Sequence, residues 1–150
     1  MKSWIDIPPV WLALCLLLAW AQATYWPMGL GFGGAAADFV GGILVGGGLL
    51  LMALAVYEMN AKRTTVIPHR EADHLVTTGI FSRSRNPIYL GDALVLSGAI
   101  IAWDAVLALP LIPIFVWWIE RHFVIPEEDR LRRKFRADFA RYCQKTRRWV

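Results

Sequence analysis

The chain has 150 residues, a length that suits one domain, and a formal net charge of +4 at pH 7. It is 57% hydrophobic with eight tryptophans, which is too apolar for an ordinary soluble domain and points to an integral membrane protein. The basic excess follows from membrane topology and attraction to anionic lipid, so it calls for no nucleic-acid partner.

The first apolar run, residues 10–23, is uncharged and continues past Tyr25 and Trp26, which predicts a span over 9–26. Asp6, Pro8 and Pro9 mark its entry. Ala21-Gln22-Ala23 resembles a signal-peptide cleavage site. The leading segment offers only Lys2 against Asp6, however, and cleavage would leave three spans, so we expect this run to stay. Gly29, Gly31 and Gly34 match the letters of a dinucleotide-binding loop. No strand precedes them, so they read as a connection. The second predicted span covers 39–59, with residues 39–57 free of charge, close to the roughly 20 residues a crossing needs. Within it Gly42 and Gly46 form a G-x-x-x-G pair beside Gly47 and Gly48. Such small residues let helix backbones approach, within the chain or across a homodimer.

Residues 60–85 are too polar to span, and Pro68 breaks them. Residues 79–91 then read Gly-Ile-Phe-Ser-Arg-Ser-Arg-Asn-Pro-Ile-Tyr-Leu-Gly. Thr77-Thr78-Gly79 predicts a turn, Pro87 suits a first helical position, and Asn86 is the natural N-cap. Spans over 88–103 and 105–123 are separated only by Asp104, which predicts a helical hairpin with Asp104 as a cap. After Pro126, Glu127 and Glu128 occupy the first turn of a new helix, where the dipole favours carboxylates. Leu131, Phe135, Phe139 and Tyr142 form its apolar stripe, with Arg130, Arg132, Arg133, Lys134, Arg136 and Arg141 around it. A basic amphipathic helix of this kind lies at a membrane surface. The expected fold is therefore an all-α membrane protein, one domain over 1–150. It has four transmembrane helices, the last two a hairpin, and a C-terminal basic amphipathic helix.

All 16 Lys and Arg residues fall at Lys2, within 62–85, or from Arg121 onward. That asymmetry is the positive-inside pattern, and it places both termini in the cytoplasm, with the protein in an inner or plasma membrane. Cys15 is mid-span and Cys143 cytoplasmic, which excludes a disulfide framework. No metal site is expected.

The polar groups at the cytoplasmic boundary suggest chemistry. Tyr89 and Asp92 are three apart and share a helix face. Facing lipid, Asp92 would cost about 2.5–3.5 kcal/mol, so it should face the interior or a cavity. Glu58, Glu120 and His122 lie near helix ends that water reaches. Arg121, beside Glu120, is the candidate to orient an acceptor carboxylate through a bidentate contact, and these two are the catalytic candidates.

Several of these residues together resemble one family, the small integral-membrane methyltransferases that include isoprenylcysteine carboxyl methyltransferase and the phospholipid methyltransferases. The resemblance rests on Gly79, Phe81, Arg85-Asn86-Pro87, Tyr89, Gly91, the hairpin, Glu127-Glu128, and the Leu131, Phe135, Phe139, Tyr142 stripe. It covers roughly residues 64–149. It implies S-adenosylmethionine as cofactor, bound on the cytoplasmic side by segments 64–91 and 120–149. By position it implies cofactor contacts at His74, Leu75, Gly79, Arg85, Asn86, Pro87, Tyr89, Glu127 and Glu128. The chain departs from the pattern at two places. Asn86 stands where the prenylcysteine enzymes usually carry histidine, and Phe139 lacks the hydroxyl of the usual second aromatic. Prenylcysteine specificity therefore does not follow.

The implied activity is methyl transfer to a small or lipidic acceptor, a carboxylate, amine or thiol, with membrane lipid as partner. Such a transfer is an in-line displacement in which positioning supplies much of the acceleration. The rival reading is a non-catalytic membrane scaffold or ligand sensor that kept the fold; a transporter fits the one-sided clustering of polar groups less well.

Overall fold

The computed structural model describes residues 8–26, 34–61 and 75–149. Within them the chain is helical, with no strand among the described residues. Helix α1 (Pro8–Tyr25) is followed by α2 (Gly34–Ala61), a 3-10 turn (Gly79–Ser82), α3 (Pro87–Ala102) and a second 3-10 turn (Val106–Ala108). Then come α4 (Leu111–Ile119), a π-helical turn (Glu120–Val124), α5 (Ile125–Phe135) and α6 (Ala137–Lys145). Two stretches, Gly34–Ala61 and Val106–Phe135, are long and apolar enough to cross a membrane; α1 and α3 are apolar but shorter. Leu17, Leu18 and Trp20 on α1, Phe39, Ile43 and Leu50 on α2, and Ile114 and Trp117 on α4 are all exposed. An apolar coat of this extent marks a contact surface for something other than water, and hydrocarbon suits it.

Glycine contacts set the α2–α3 packing, at different positions from those expected. A Cβ on Gly48 would stand 2.5 Å from the Gly91 carbonyl oxygen, and one on Gly91 would stand 2.6 Å from the Gly48 carbonyl oxygen. Gly41 and Gly98 make the same reciprocal contact, at 2.7 and 2.5 Å. The pairing is antiparallel and repeats every seven residues on both helices. Gly42, Gly46 and Gly47 face open space instead, so the G-x-x-x-G pair does not make this interface. The sequence shows five glycines within residues 41–48, and the neighbouring helix selects which of them it needs.

The hairpin forms, but Asp104 does not cap its second helix. Asp104 takes a left-handed φ of 55° in the turn, the 3-10 turn follows, and α4 begins only after Pro110. The core lies between α1, α3 and α4. Leu96, Ile100, Phe115, Ile119 and Phe123 fill it, and Leu12, Leu16 and Trp118 pack against it.

No separate helix begins at Pro126. The last apolar helix runs on into α5 through the π turn, where the Ile125 N–H bonds the Glu120 carbonyl five residues back. Proline has no N–H to continue an ordinary helical ladder, and the wider turn just before Pro126 takes up the mismatch. The expected C-terminal amphipathic helix is two helices broken at Arg136, with φ of 47°. Phe139 and Tyr142 are buried against the protein, so this part of the stripe faces inward and not toward a membrane surface.

Candidate functional site

The segments expected to form a site converge where α3 begins and α4 turns into α5. Pro87 occupies the start of α3 as expected, and Asn86 stands at the N-cap position without a side-chain capping bond. The Asn86 amide nitrogen instead donates to the Arg148 carbonyl at 3.0 Å. The Arg85 backbone N–H donates to the Arg147 carbonyl at 3.0 Å, and Thr146 Oγ1 donates to the Ser82 carbonyl at 3.3 Å. The C-terminal segment is thereby stitched along residues 82–86. Tyr142 secures the same strip, its hydroxyl donating to the Phe81 carbonyl at 2.6 Å. Burial raises the Tyr142 phenol above its ordinary range, only partly offset by the nearby Arg85 charge.

Glu128 is the centre of the charged cluster and is 6% exposed. It accepts from Arg85 Nη1 at 3.2 Å, from Arg148 Nε at 2.7 Å and from Arg148 Nη2 at 3.4 Å. Arg148 Nη1 also reaches Glu120 at 2.9 Å. The bond to Glu128 outweighs partial burial and, with the bond to Glu120, holds the Arg148 guanidinium above its usual range. Arg85 Nη1 contacts the Cys143 sulfur as well. Both cysteines are free thiols.

Glu127 faces the other way along the cluster. Its Oε2 accepts the Tyr89 hydroxyl at 3.1 Å, and the Tyr89 ring lies 6.5 Å from that of Phe123. Tyr89 itself is 7% exposed. Three carboxylates, Glu120, Glu127 and Glu128, thus meet two guanidinium groups, Arg85 and Arg148. The set also holds one buried donor, Arg85 Nε, that has no partner among the described residues. Asp92 lies one turn beyond Tyr89, 4% exposed, and its Oδ2 also lacks a partner among the described residues.

Of the expected site residues, the structure brings together Arg85, Asn86, Pro87, Tyr89, Glu120, Glu127 and Glu128. Gly79 lies apart from the ion pairs. Its φ is +61°, and a Cβ there would strike the Glu58 carboxylate at 2.5 Å, the same group that accepts the Thr78 hydroxyl at 2.9 Å. Glu58 is therefore a strut under the 79–82 turn. Leu75 is half-buried at the edge of the described segment, and His74 lies outside the described residues. Arg121 is exposed and makes no ion pair with the cluster. The arginine that meets Glu120 is Arg148. Nothing in Arg147-Arg148-Trp149 distinguishes the inward arginine by sequence; the packing of Trp149 against the core fixes it. His122 stacks on Trp118 at 3.6 Å, and Trp118 meets Trp11 at 4.9 Å.

A family model described as phospholipid methyltransferase matches residues 37–138. The match takes in Arg85, Tyr89, Glu120, Glu127 and Glu128 and stops before Arg148. No curated protein and no solved structure matches the chain.

Proposed function

Because this chain belongs to the phospholipid methyltransferase family, we propose that it transfers a methyl group from S-adenosylmethionine to a lipid-type acceptor at the cytoplasmic face of the membrane. Four helical stretches, α1, α2, α3 and the one from Val106 through α4, are read as spans, with both termini in the cytoplasm. The observation that carries the reading is the junction of the two motif halves. Arg85 and Tyr89, at the start of α3, meet Glu128 and Glu127, at the start of α5.

The cluster fits the cofactor by its chemistry. S-adenosylmethionine presents two cationic centres and one carboxylate. The carboxylates of Glu120, Glu127 and Glu128 suit the first, and Arg85 Nε, without a partner among the described residues, suits the second. When bound, the cofactor supplies a methyl group made electrophilic by the sulfonium. The chain's own residues hold and orient. Tyr89 fixes the Glu127 carboxylate, Arg85 and Arg148 hold Glu128, and the stitched C-terminal segment keeps bulk water from the centre. An acceptor chain would pack on the exposed apolar flanks of the helices, which accounts for the site's position beside them.

Equilibrium binding of S-adenosylhomocysteine to detergent-purified protein tests the cofactor assignment. Binding in the micromolar range is expected, and no binding at millimolar ligand would refute it. Transfer of labelled methyl from S-adenosylmethionine into native lipids tests the activity.

A further inference from the structure

A cationic ligand arriving at this site meets carboxylates that are already engaged. Glu127 accepts the Tyr89 hydroxyl at 3.1 Å, Glu128 is held by Arg85 and Arg148, and Glu120 accepts Arg148 Nη1 at 2.9 Å. One of these contacts has to open before a ligand cation can take its place. Exposure decides which. Tyr89 and Glu128 are buried, so parting either from its partner strands a polar group away from water. The Arg148 and Glu120 side chains are 35% and 29% exposed, and water reaches both when they part.

Arg148 is built for such an exchange. Its guanidinium bridges two carboxylates, with Nε at 2.7 Å and Nη2 at 3.4 Å from Glu128 and Nη1 on Glu120. Turning about the Nε bond to Glu128 takes Nη1 off Glu120 and leaves the side chain anchored. The backbone of the same segment stays in place, because Asn86 Nδ2 donates to the Arg148 carbonyl and Thr146 Oγ1 to the Ser82 carbonyl. Arg148 lies beyond the stretch the family model matches, whereas Glu120 and Glu128 lie within it.

Resting on the cofactor reading above, we propose that Glu120 is the subsite for the α-ammonium of S-adenosylmethionine and that Arg148 is its internal competitor, a tethered cation that fills the subsite until the cofactor displaces it. The place suits the ammonium and not the sulfonium. Glu120 loses an N–H donor when Nη1 turns away; an ammonium offers three such donors, and a sulfonium offers none. One cation replaces another at the carboxylate, so Glu120 is never left without a counter-charge. The C-terminal segment thereby sets cofactor affinity, lowering it by the strength of the Arg148–Glu120 contact.

The test measures equilibrium binding of S-adenosylhomocysteine, and of its analogue without the α-amino group, to the full chain in detergent micelles, beside thermal unfolding without ligand. Arg148→Lys carries a compact ammonium that cannot span both carboxylates. It should bind S-adenosylhomocysteine at least fivefold tighter than the parent while melting at a lower temperature. A residue that only builds the site would lose affinity and stability together. Glu120→Gln should bind S-adenosylhomocysteine at least tenfold more weakly. The analogue should bind the parent at least tenfold more weakly than S-adenosylhomocysteine does, and its affinity should change less than twofold in either variant. Unchanged or weaker binding of S-adenosylhomocysteine by Arg148→Lys would overturn the proposal. So would an analogue that binds the parent as tightly as S-adenosylhomocysteine, a result that needs no variant to fold and leaves the cofactor reading standing. A parent that fails to bind S-adenosylhomocysteine at millimolar concentration overturns both.

Discussion

Arg85 and Glu128, 43 residues apart in the chain, meet at 3.2 Å, and Arg148 takes the other side of the same carboxylate. This divides the double glutamate into two functions. Glu128 holds two guanidinium groups, whereas Glu127 accepts the Tyr89 phenol.

The two glutamates should therefore respond differently to the same substitution. Glu128→Gln leaves two guanidinium groups short of a counter-charge and should cost about 2–3 kcal/mol of stability, moderated because Arg148 is about a third exposed. Glu127→Gln keeps an oxygen for Tyr89 and should stay folded while losing S-adenosylhomocysteine affinity. Thermal unfolding in detergent, read beside ligand binding, separates them. Equal melting temperatures for the two variants would contradict the division.

Tyr89→Phe removes the donor that fixes Glu127. Loss of a hydrogen bond to a charged group is worth about 1.5 kcal/mol or more, roughly tenfold in affinity. S-adenosylhomocysteine binding should fall by about that factor in Tyr89→Phe. Titration calorimetry on the purified variant reads it directly, and unchanged affinity would place the cofactor elsewhere.

Much of this site is legible in the amino-acid order alone. The Arg-Asn-Pro-x-Tyr and Glu-Glu elements carry the pairing, because charged and aromatic groups at a bilayer edge have few uses. Periodicity and proline placement locate the helices, and α3 begins at Pro87 as expected. The details that escape such a reading depend on long-range contacts. Which arginine meets Glu120 is set by how Thr146 and Trp149 dock, and which glycines touch is set by where α3 lies on α2. The Asn86 side chain has a local option, capping its own helix, but it bonds the C-terminal segment instead.

The glycine pairs make a second stability prediction. Gly48→Ala or Gly91→Ala places a methyl group against a backbone carbonyl that cannot rotate away, and should cost about 1–3 kcal/mol. Gly46→Ala meets no neighbour and gains helix propensity, so it should be neutral or up to about 1 kcal/mol more stable. Melting temperatures of the three variants in one detergent test the contrast.

Tyr142 gives a pH prediction. The unfolded phenol loses its proton near pH 10, and the buried folded one only above that, because burial raises it. Above about pH 10 the unfolded chain thus binds fewer protons than the folded chain, and stability falls as pH rises, by at most about 1.4 kcal/mol per pH unit from this group. Below pH 10 the group contributes no slope. Tyr142→Phe should flatten the alkaline limb of a melting-temperature profile while lowering its plateau by about 1 kcal/mol for the lost bond to Phe81.

The π turn at Glu120–Val124 works as a phase shifter. One residue of an ordinary helix corresponds to about 100° of rotation, so the extra residue in that turn sets the direction in which everything after it points. Glu127 and Glu128 face Tyr89 and Arg85 only because the helix slips by this step before Pro126. A chain one residue shorter there could keep every side chain of the cluster, and every apolar residue of the last span, and still aim both carboxylates about a quarter-turn wide of their partners.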